Sequence, residues 1–378
     1  MRMDRNNPTQ QMTLQGRWNT NRIFDSVTGT FQCPTRDRCV RWCMSAALLP
    51  YARKCTCGKM MSLVPSTKSG TADWTCIGLR FRCYGPKRGG IRRHDVSHTI
   101  AENTWFSFHR QPIERILFMT YGMARSWSYD TFRNEMSIDD QSISSETVAD
   151  YYSYIREVMM VSLDERFAAK GRIGGEGRVA EIDEMKFGKR KYNVGRLKDG
   201  HWILVIVLHK QNDDDIDEVR LEICPNNNRS AASLVPLIEK HVLPGTVVMT
   251  DLWRGYNSID QRGYYRLTVN HSANFVDPLT WANTQKVEAI NGVLRRALRR
   301  GNAKPDNIAD HMCEFLWRRE CRIKNLDPFA EIIKDISRLY PGVGLISTHN
   351  EHLSTVSISD NEMNVEDDYD DDVFDSNE

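Results

Sequence analysis

The chain has 378 residues, with 51 Lys and Arg against 50 Asp and Glu, and a formal net charge of +1. An apolar content of 40% is enough for an ordinary core and excludes wholesale disorder. No apolar run reaches the length of about 18 residues that a transmembrane helix needs, and the polar N-terminus lacks a signal-peptide segment. We therefore expect an intracellular chain of two or three domains, whose ten Cys are core residues or metal ligands rather than disulfides.

The near-zero charge conceals an acidic C-terminus. Residues 360–378 hold ten acids and no Lys or Arg, so residues 1–359 carry 51 bases against 40 acids, a balance of +11. A basic body favours a polyanionic partner such as nucleic acid, although a Lys/Arg-rich solvated surface is the alternative. We expect residues 341–378 to be a disordered acidic tail, which either solubilises the chain or competes with DNA for a basic groove.

The N-terminal third predicts a metal-stapled module. Residues 1–30 are polar and are predicted to be disordered. Residues 31–95 contain seven of the ten Cys, with Gly, Pro and Arg between them. Small modules of this kind often depend on a tetrahedral zinc ion to fold. The seven are Cys33, Cys39, Cys43, Cys55, Cys57, Cys76 and Cys83.

Residues 97–166 change to a helical pattern. Pro112 fits the first turn of a helix that extends to about Trp127, and a short second helix follows at 131–136. Ser144 or Ser145 can cap a third helix. Three short helices are compatible with a DNA-binding helix-turn-helix, and a plain helical connector is the alternative. The Gly-rich residues 170–178 are predicted to be a linker.

From Val179 the pattern becomes α/β. Three strands are followed by a helix, a strand, a helical turn, another strand and two helices. The run at 202–209 is almost continuously apolar, as in a central strand. The predicted strands are 179–187, 202–209, 218–224, 246–250 and 264–270, and the predicted helices are 230–242, 284–300 and 307–322.

Three acids stand at informative places in this pattern. Asp183 lies inside the first strand, and Asp251 follows a buried strand at its carboxyl end, where open α/β sheets form their ligand crevice. Glu288 lies near the start of a helix that ends in Arg. Converging carboxylates suit Mg²⁺ or Mn²⁺, and two such ions can activate an attacking hydroxyl and stabilise a leaving 3′ oxygen. A turn or helix cap is the alternative role for an Asp at a strand end.

Four blocks of sequence carry a family resemblance. They are VAEIDEMKFGKRKYNVGR (179–196), GTVVMTDLWRGYNSI (245–259), TVNHSANFVDP (268–278) and NTQKVEAINGVLRRALRR (283–300). In this order they resemble the catalytic domain of Merlin-type DNA transposases and of related bacterial insertion-sequence transposases. The resemblance implies a DDE catalytic domain at 179–325 with a ribonuclease-H-like fold, a mixed sheet with flanking helices. By motif position it implies Asp183, Asp251 and Glu288 as the catalytic acids, which bind two Mg²⁺ or Mn²⁺ ions.

Two departures flank the third acid. Asn283 stands where relatives commonly have His, and Asn291 stands where they commonly have an aromatic residue. These changes leave room for a domesticated DNA-binding or regulatory protein that has kept the fold and lost the chemistry. A metal-dependent nuclease without strand transfer is a third possibility.

The resemblance also implies ligands for zinc and DNA. In the zinc-ribbon-like module, Cys55 and Cys57 would form one knuckle and Cys76 with Cys83 the other, with Cys33, Cys39 and Cys43 as rival ligands. His271 is a candidate DNA contact, or else a structural hydrogen-bonding residue. The basic candidates for DNA binding are Lys186, Lys189, Arg190, Lys191, Arg295, Arg296, Arg299 and Arg300.

The predicted function is therefore that of a DDE transposase. It would bind double-stranded DNA, both the terminal inverted repeats and the target. It would work as a homodimer or larger assembly, and we expect no membrane partner. The Lys/Arg run after Asp183 also resembles a nuclear-import signal. We expect a nuclear location in a eukaryotic host, and a cytoplasmic or nucleoid location in a bacterium.

Overall fold

A computed structural model describes residues 24–25, 30–31, 36–65, 79–85, 87–88, 91–92, 94–107, 109, 111–136, 143–188, 200–212, 215–270 and 276–342. The N-terminal elements are β1 (Phe24–Asp25), β2 (Thr30–Phe31), α1 (Arg36–Ser45), β3 (Ser62–Pro65), β4 (Leu79–Tyr84), β5 (Lys87–Arg88), β6 (Ile91–Arg92) and β7 (Asp95–Thr99). Three helices follow, α2 (Ile113–Ala124), α3 (Tyr129–Met136) and α4 (Ser145–Lys170). The remaining elements are β8 (Ile173–Gly174), β9 (Val179–Phe187), β10 (His201–Leu208), β11 (Glu218–Ile223), α5 (Ala231–His241), β12 (Val242–Leu243), β13 (Val247–Thr250), β14 (Tyr265–Thr268), α6 (Gln285–Arg300), α7 (Ile308–Ile323) and α8 (Pro328–Leu339).

The mixed α/β architecture predicted from the sequence is confirmed. Pro112 directly precedes α2, and Ser144 caps α4 by accepting a hydrogen bond from the backbone N–H of Thr147 at 3.2 Å. Helices α1 and α8 have no counterpart among the elements predicted from the sequence. For α8 the start signals were present, because Pro328 is its first residue and the Asp327 side chain caps it.

A five-stranded sheet forms the centre of the C-terminal part, in the order β11-β10-β9-β13-β14. Strands β9, β10 and β11 pair antiparallel, whereas β13 is parallel to both β9 and β14. Residues 203–208 of β10 are all buried, which explains the continuous apolar run of this strand.

Helices cover both faces of the sheet. Helix α5 packs on one face through Leu234 and Ile238, beside Ile182 of β9. On the other face a single apolar core extends along the chain from Cys39 to Ile336 and includes residues of α1, α2, α4, α6, α7 and α8. The Cys-rich and helical segments therefore share this core with the sheet, and the domain boundaries stay predictions.

Helix α4 connects these parts through buried ion pairs. Arg156 Nε donates to Glu314 Oε2 of α7 at 2.8 Å, and Arg166 forms an ion pair with Asp335 of α8 at 2.9 Å. Asp335 also accepts a hydrogen bond from Trp317 Nε1. Within the described ranges, every helix is too short or too polar to cross a bilayer.

The Gly-rich segment 170–178, predicted as a linker, contributes a short strand to the fold. Strand β8 pairs parallel with β12, which places Gly174 against Thr246. Gly174 has a φ of +92°, and a Cβ at this position would lie 2.4 Å from Thr246 Oγ1. Glycine is required here both by the backbone conformation and by the close approach.

Candidate active site and metal centre

Asp183 and Asp251 come from two neighbouring parallel strands. In the register of β9 and β13, Val247 pairs with Val179 and Met249 with Glu181. Continuing this register by two residues brings Asp251, which follows the end of β13, beside Asp183. Both acids are half-buried. The sheet therefore brings together two acids that are far apart in the sequence, at the carboxyl end of β13.

The turn that carries Asp251 is held by an arginine of the next strand. Arg266 of β14 donates from Nε to Thr250 Oγ1 at 3.1 Å and from Nη2 to the Asp251 carbonyl at 3.1 Å. Its Nη1 donates to Asn257 Oδ1 at 2.9 Å. The Asp251 side chain also accepts a hydrogen bond from the Trp253 backbone N–H at 2.8 Å. Asp251 therefore caps a turn, which is the alternative role predicted for an Asp at a strand end.

Helix α6 is fixed to β9 by two side-chain hydrogen bonds. The backbone N–H of Val287 donates to Glu181 Oε2 at 2.9 Å, and the other Glu181 oxygen pairs with His209 Nε2 at 2.7 Å. One turn later, Asn291 Nδ2 donates to Asp183 Oδ2 at 2.8 Å. Glu181 is fully buried, so it acts as a long-range cap for the first turn of the helix.

This docking decides where the third predicted acid lies. Glu288 is between Val287 and Asn291, both of which contact β9, so its backbone runs beside that strand. Its side chain is exposed and accepts a hydrogen bond from Thr284 Oγ1 at 3.2 Å. Asn291, which departs from the family pattern, is itself the residue that holds Asp183.

Negative charge accumulates around these acids. Burial, followed by the charge of Asp183 and more weakly that of Asp251, raises the pKa of the neighbouring Glu184 to about 7. A cation bound between the acids would offset this repulsion, and carboxylate oxygens are the hard ligands that Mg²⁺ and Mn²⁺ prefer. The donor set at this edge therefore fits the divalent cation that the resemblance implies.

Some of the predicted DNA-binding residues fall in the described part of the chain. Lys186 lies over the Trp202 ring, with Nζ 5.5 Å from the ring centroid. On α6, Arg295 is half-buried, and Arg296, Arg299 and Arg300 are exposed in the last turns. Four other candidates, Lys189, Arg190, Lys191 and His271, lie outside the described residues, as do the tail residues 343–378.

Three of the four predicted zinc ligands converge in the N-terminal part, with a histidine in addition. Cys55, Cys57, Cys83 and His94 place one ligand atom each within 4.8 Å of the others. In the described ranges, no other group of three or more His, Cys, Asp or Glu side chains has its ligand atoms this close together. This includes Asp183, Asp251 and Glu288. Cys76 lies outside the described residues, whereas Cys39 and Cys43 are buried in α1. Cys33 also lies outside them.

The spacing of this Cys/His cluster fits tetrahedral zinc. Cys57 Sγ lies 3.6 Å from Cys83 Sγ, and Cys55 Sγ lies 3.1 Å from His94 Nε2. Ligands about 2.0–2.3 Å from a tetrahedral zinc ion would be separated by about 3.3–3.8 Å. The Cys57–Cys83 distance lies in this range, and the Cys55–His94 distance is slightly shorter. The backbone N–H of Cys57, together with the hydrogen bond to His94, lowers the pKa of Cys55 to about 6, which favours the thiolate that binds metal.

Sequence reasoning missed His94 as a ligand, and Glu181 and Asn291 as supporting residues. His94 directly precedes β7, and the pairing of β7 with β4 brings it next to Cys83. A search for His as well as Cys after the C-x-C pair could have found it. Glu181 and Asn291 have no local signal, because their partners are more than 100 residues away.

Comparison with known proteins identifies a known domain over the part of the chain that contains the three candidate acids. Residues 170–320 match the profile of the ISXO2-like transposase domain. An uncharacterized transposase-like protein of Haemophilus influenzae is 32% identical over 111 residues, which cover 28% of this chain and 81% of that protein. The profile match includes Asp183, Asp251 and Glu288.

Proposed function

Because the chain belongs to the ISXO2-like transposases of the DDE superfamily, we propose that it cuts DNA at the ends of a mobile element and joins them to a target. The observation that carries this proposal is the meeting of Asp183 and Asp251 on adjacent parallel strands, with the first turn of α6 docked beside them. That arrangement supports a site for divalent cations. The Merlin-type assignment stays a prediction.

We infer a ribonuclease-H-like catalytic domain at 179–325. Three antiparallel strands followed by two parallel ones, with helices on both faces, support this inference. The zinc-ribbon-like module at 31–95 and the helical segment at 97–166 would precede it and bind the terminal inverted repeats. The helix-turn-helix stays a prediction. The third helix, α4, is not short as predicted, because it is 26 residues long and packs into the core.

The proposed chemistry assigns separate tasks to the residues of the site. Asp183, Asp251 and Glu288 would hold two Mg²⁺ or Mn²⁺ ions, which supply activation of the attacking hydroxyl and stabilisation of the leaving 3′ oxygen. Asn291 orients the Asp183 carboxylate through its hydrogen bond, and Arg266 fixes the turn that carries Asp251.

Positive charge near the acids would hold the DNA strand in place. Lys186 and Arg295 would bind backbone phosphates next to the candidate site. Arg296, Arg299 and Arg300 would bind phosphates farther along the DNA, because about 12–18 Å of helix separates them from Glu288. The Cys/His cluster would bind one structural Zn²⁺ through Cys55, Cys57, Cys83 and His94.

Pairing of two element ends requires at least a dimer. The bacterial origin of the similar protein gives no support to a nuclear location, which stays a prediction for a eukaryotic host.

The test uses the purified full chain and DNA fragments that flank its coding region, with Mg²⁺ or Mn²⁺. We expect nicked and joined products from the unaltered chain. Asp183→Asn or Asp251→Asn should lower the rate roughly 10³-fold or more, because each removes a charge that the cations need. DNA binding should be largely kept. The matched control is Asp164→Asn, which removes an exposed acid of α4.

The outcomes separate the three functions. Binding without products from the unaltered chain would favour the domesticated DNA-binding protein, and cleavage without joining would favour a nuclease. Full nicking activity in Asp183→Asn would reject the assignment of the acids. Inverted repeats and short duplicated target sites around the coding region would support transposition independently.

A further inference from the structure

The loop of residues 276–284, which leads into α6, presents two large apolar side chains to solvent. Leu279 is 89% exposed and Trp281 is 75% exposed, which makes them the most exposed large apolar side chains in the described part of the chain. Exposed apolar surface of this size is unfavourable in water. A pair of such residues in one loop therefore indicates a surface that binds a partner.

Hydrogen bonds within the loop hold it in a closed shape. Asp277 Oδ1 accepts from the backbone N–H groups of Leu279 at 3.0 Å and Thr280 at 2.8 Å. The Asp277 N–H donates to the Ala282 carbonyl at 2.9 Å, and the Trp281 N–H donates to the Asp277 carbonyl at 2.9 Å. Ala282 is fully buried and anchors the end of the loop. The two apolar side chains are thus displayed from a fixed backbone.

Trp281 adopts a backbone conformation that favours glycine. Its φ is +59°, in the left-handed region where a bulky side chain is disfavoured. The chain therefore carries an aromatic residue where glycine would give a more relaxed loop. Neither the backbone nor the packing of the loop explains the choice, because the ring is mostly exposed.

The position of the loop indicates which partner it would contact. Trp281 lies just before α6, whose first turn carries Glu288 and whose last turns carry four Arg. The loop therefore leads into the helix turn that carries Glu288, and DNA is the partner that family membership implies. An exposed aromatic ring on a loop that adjoins the proposed DNA-cutting site is suited to stack on a nucleobase, because every base has a π-face.

We propose that Leu279 and Trp281 form a wedge that binds an unpaired nucleobase of the DNA strand held at the active site. Trp281 stacks on the base, and Leu279 fills the space that the base leaves in the duplex. The proposal rests on the proposed function, since it places the DNA strand end beside Glu288.

Binding measurements on two labelled duplexes test the wedge. One duplex is fully paired, and the other has the same sequence with a short mismatched segment that contains 2-aminopurine. Affinity is measured by anisotropy without added Mg²⁺, so that the strands stay intact, and stacking is measured by quenching of 2-aminopurine. The variants are Trp281→Gly, Trp281→Phe and Leu279→Ala. Tyr265→Ala is the matched control, because Tyr265 is 64% exposed at the opposite end of the parallel strands.

We expect Trp281→Gly to bind the mismatched duplex about 5- to 160-fold more weakly, the range that alanine substitution of stacking residues gives. Quenching should disappear, while Trp281→Phe keeps most of both signals and Leu279→Ala shows a smaller loss. Thermal stability of Trp281→Gly should not fall, because glycine suits the left-handed backbone. Tyr265→Ala should match the unaltered chain.

Three results would overturn the wedge. The first is equal affinity of Trp281→Gly and the unaltered chain for mismatched DNA, and the second is no preference of the unaltered chain for that DNA. The third is a loss of dimers in Trp281→Gly, measured by light scattering, with unchanged DNA affinity, which would make the loop a contact between two copies. In each case DNA cutting and joining by the unaltered chain would leave the proposed function standing. Absence of any DNA binding would reject both.

Discussion

The Cys/His cluster and the carboxylate edge are two candidate metal sites built in opposite ways. In the cluster, four ligand atoms lie within 4.8 Å of one another, so the site is closed by protein ligands alone. At the carboxylate edge the acids are aligned by strands and a helix, and Glu288 is exposed to solvent. Structural metal sites are typically closed and catalytic ones keep open positions. From this contrast we expect a folding role for the first site and a chemical role for the second.

The two sites also differ in how firmly the surrounding structure holds their ligands without a metal ion. The cluster is formed by a turn at Cys55–Gly58 and by the short strands around β4 and β7. The acids are carried by a sheet with an apolar core on each face. A metal ion should therefore contribute most of the local stability at the cluster, and little of it at the carboxylate edge.

The largest expected effect comes from opening the Cys/His cluster. Cys83→Ser, or removal of zinc by a chelator, should cost on the order of 10 kcal/mol of local folding free energy at neutral pH, as in other small zinc modules. Unfolding of the N-terminal part would follow, detected by denaturant titration and by zinc release to a dye. The control Cys313→Ala changes a half-buried Cys of α7 outside the cluster. Equal stability of the two variants, with no zinc bound, would contradict the closed site.

A smaller effect separates a structural acid from the candidate catalytic acids. Glu181→Ala should destabilise the protein by about 3 kcal/mol, because it leaves the Val287 N–H and His209 without their buried partner. Glu181→Gln keeps an oxygen for the Val287 N–H and should cost about 1 kcal/mol. Denaturant midpoints measure both. If the two substitutions cost the same, then Glu181 does not hold α6.

The smallest effect on stability is expected at Asp251. At a divalent cation concentration of about 100 Kd, the unaltered chain should gain about 2.7 kcal/mol of unfolding free energy. Asp251→Asn should lose this gain. Without cation its stability should change by less than about 0.5 kcal/mol, because Asn can still accept from the Trp253 N–H. Thermal unfolding with and without Mn²⁺ measures both quantities. The control is Asp306→Asn, which changes an exposed acid between α6 and α7. A full cation response in Asp251→Asn would place the cation elsewhere.

Local patterns accounted for much of the secondary structure. The helix that Ser144 begins, the apolar central strand and the helix around Glu288 lie where caps and periodicity put them. Such signals work because caps and alternating burial act over a few residues. Helix α8 was not predicted although the sequence contains its start signals, which are the Asp327 cap and Pro328 at the first position.

The candidate sites were only partly accessible from the sequence. Motif resemblance singled out Asp183, Asp251 and Glu288. Cys content gave seven candidate zinc ligands, from which the resemblance selected Cys55, Cys57, Cys76 and Cys83. His94 was missed because the ligand candidates after the C-x-C pair were limited to Cys, and it is the pairing of β7 with β4 that brings His94 to the cluster.

Sequence by itself determined the α/β class, the family resemblance and the residue types able to bind metals and DNA. Tertiary structure alone decided that Glu181 and Asn291 hold α6 on β9, that Arg266 fixes the Asp251 turn, and that Trp281 faces solvent. The physical reason is the range of the interactions. Caps and periodicity act between near neighbours, whereas these contacts depend on strand register and helix docking across long stretches of chain.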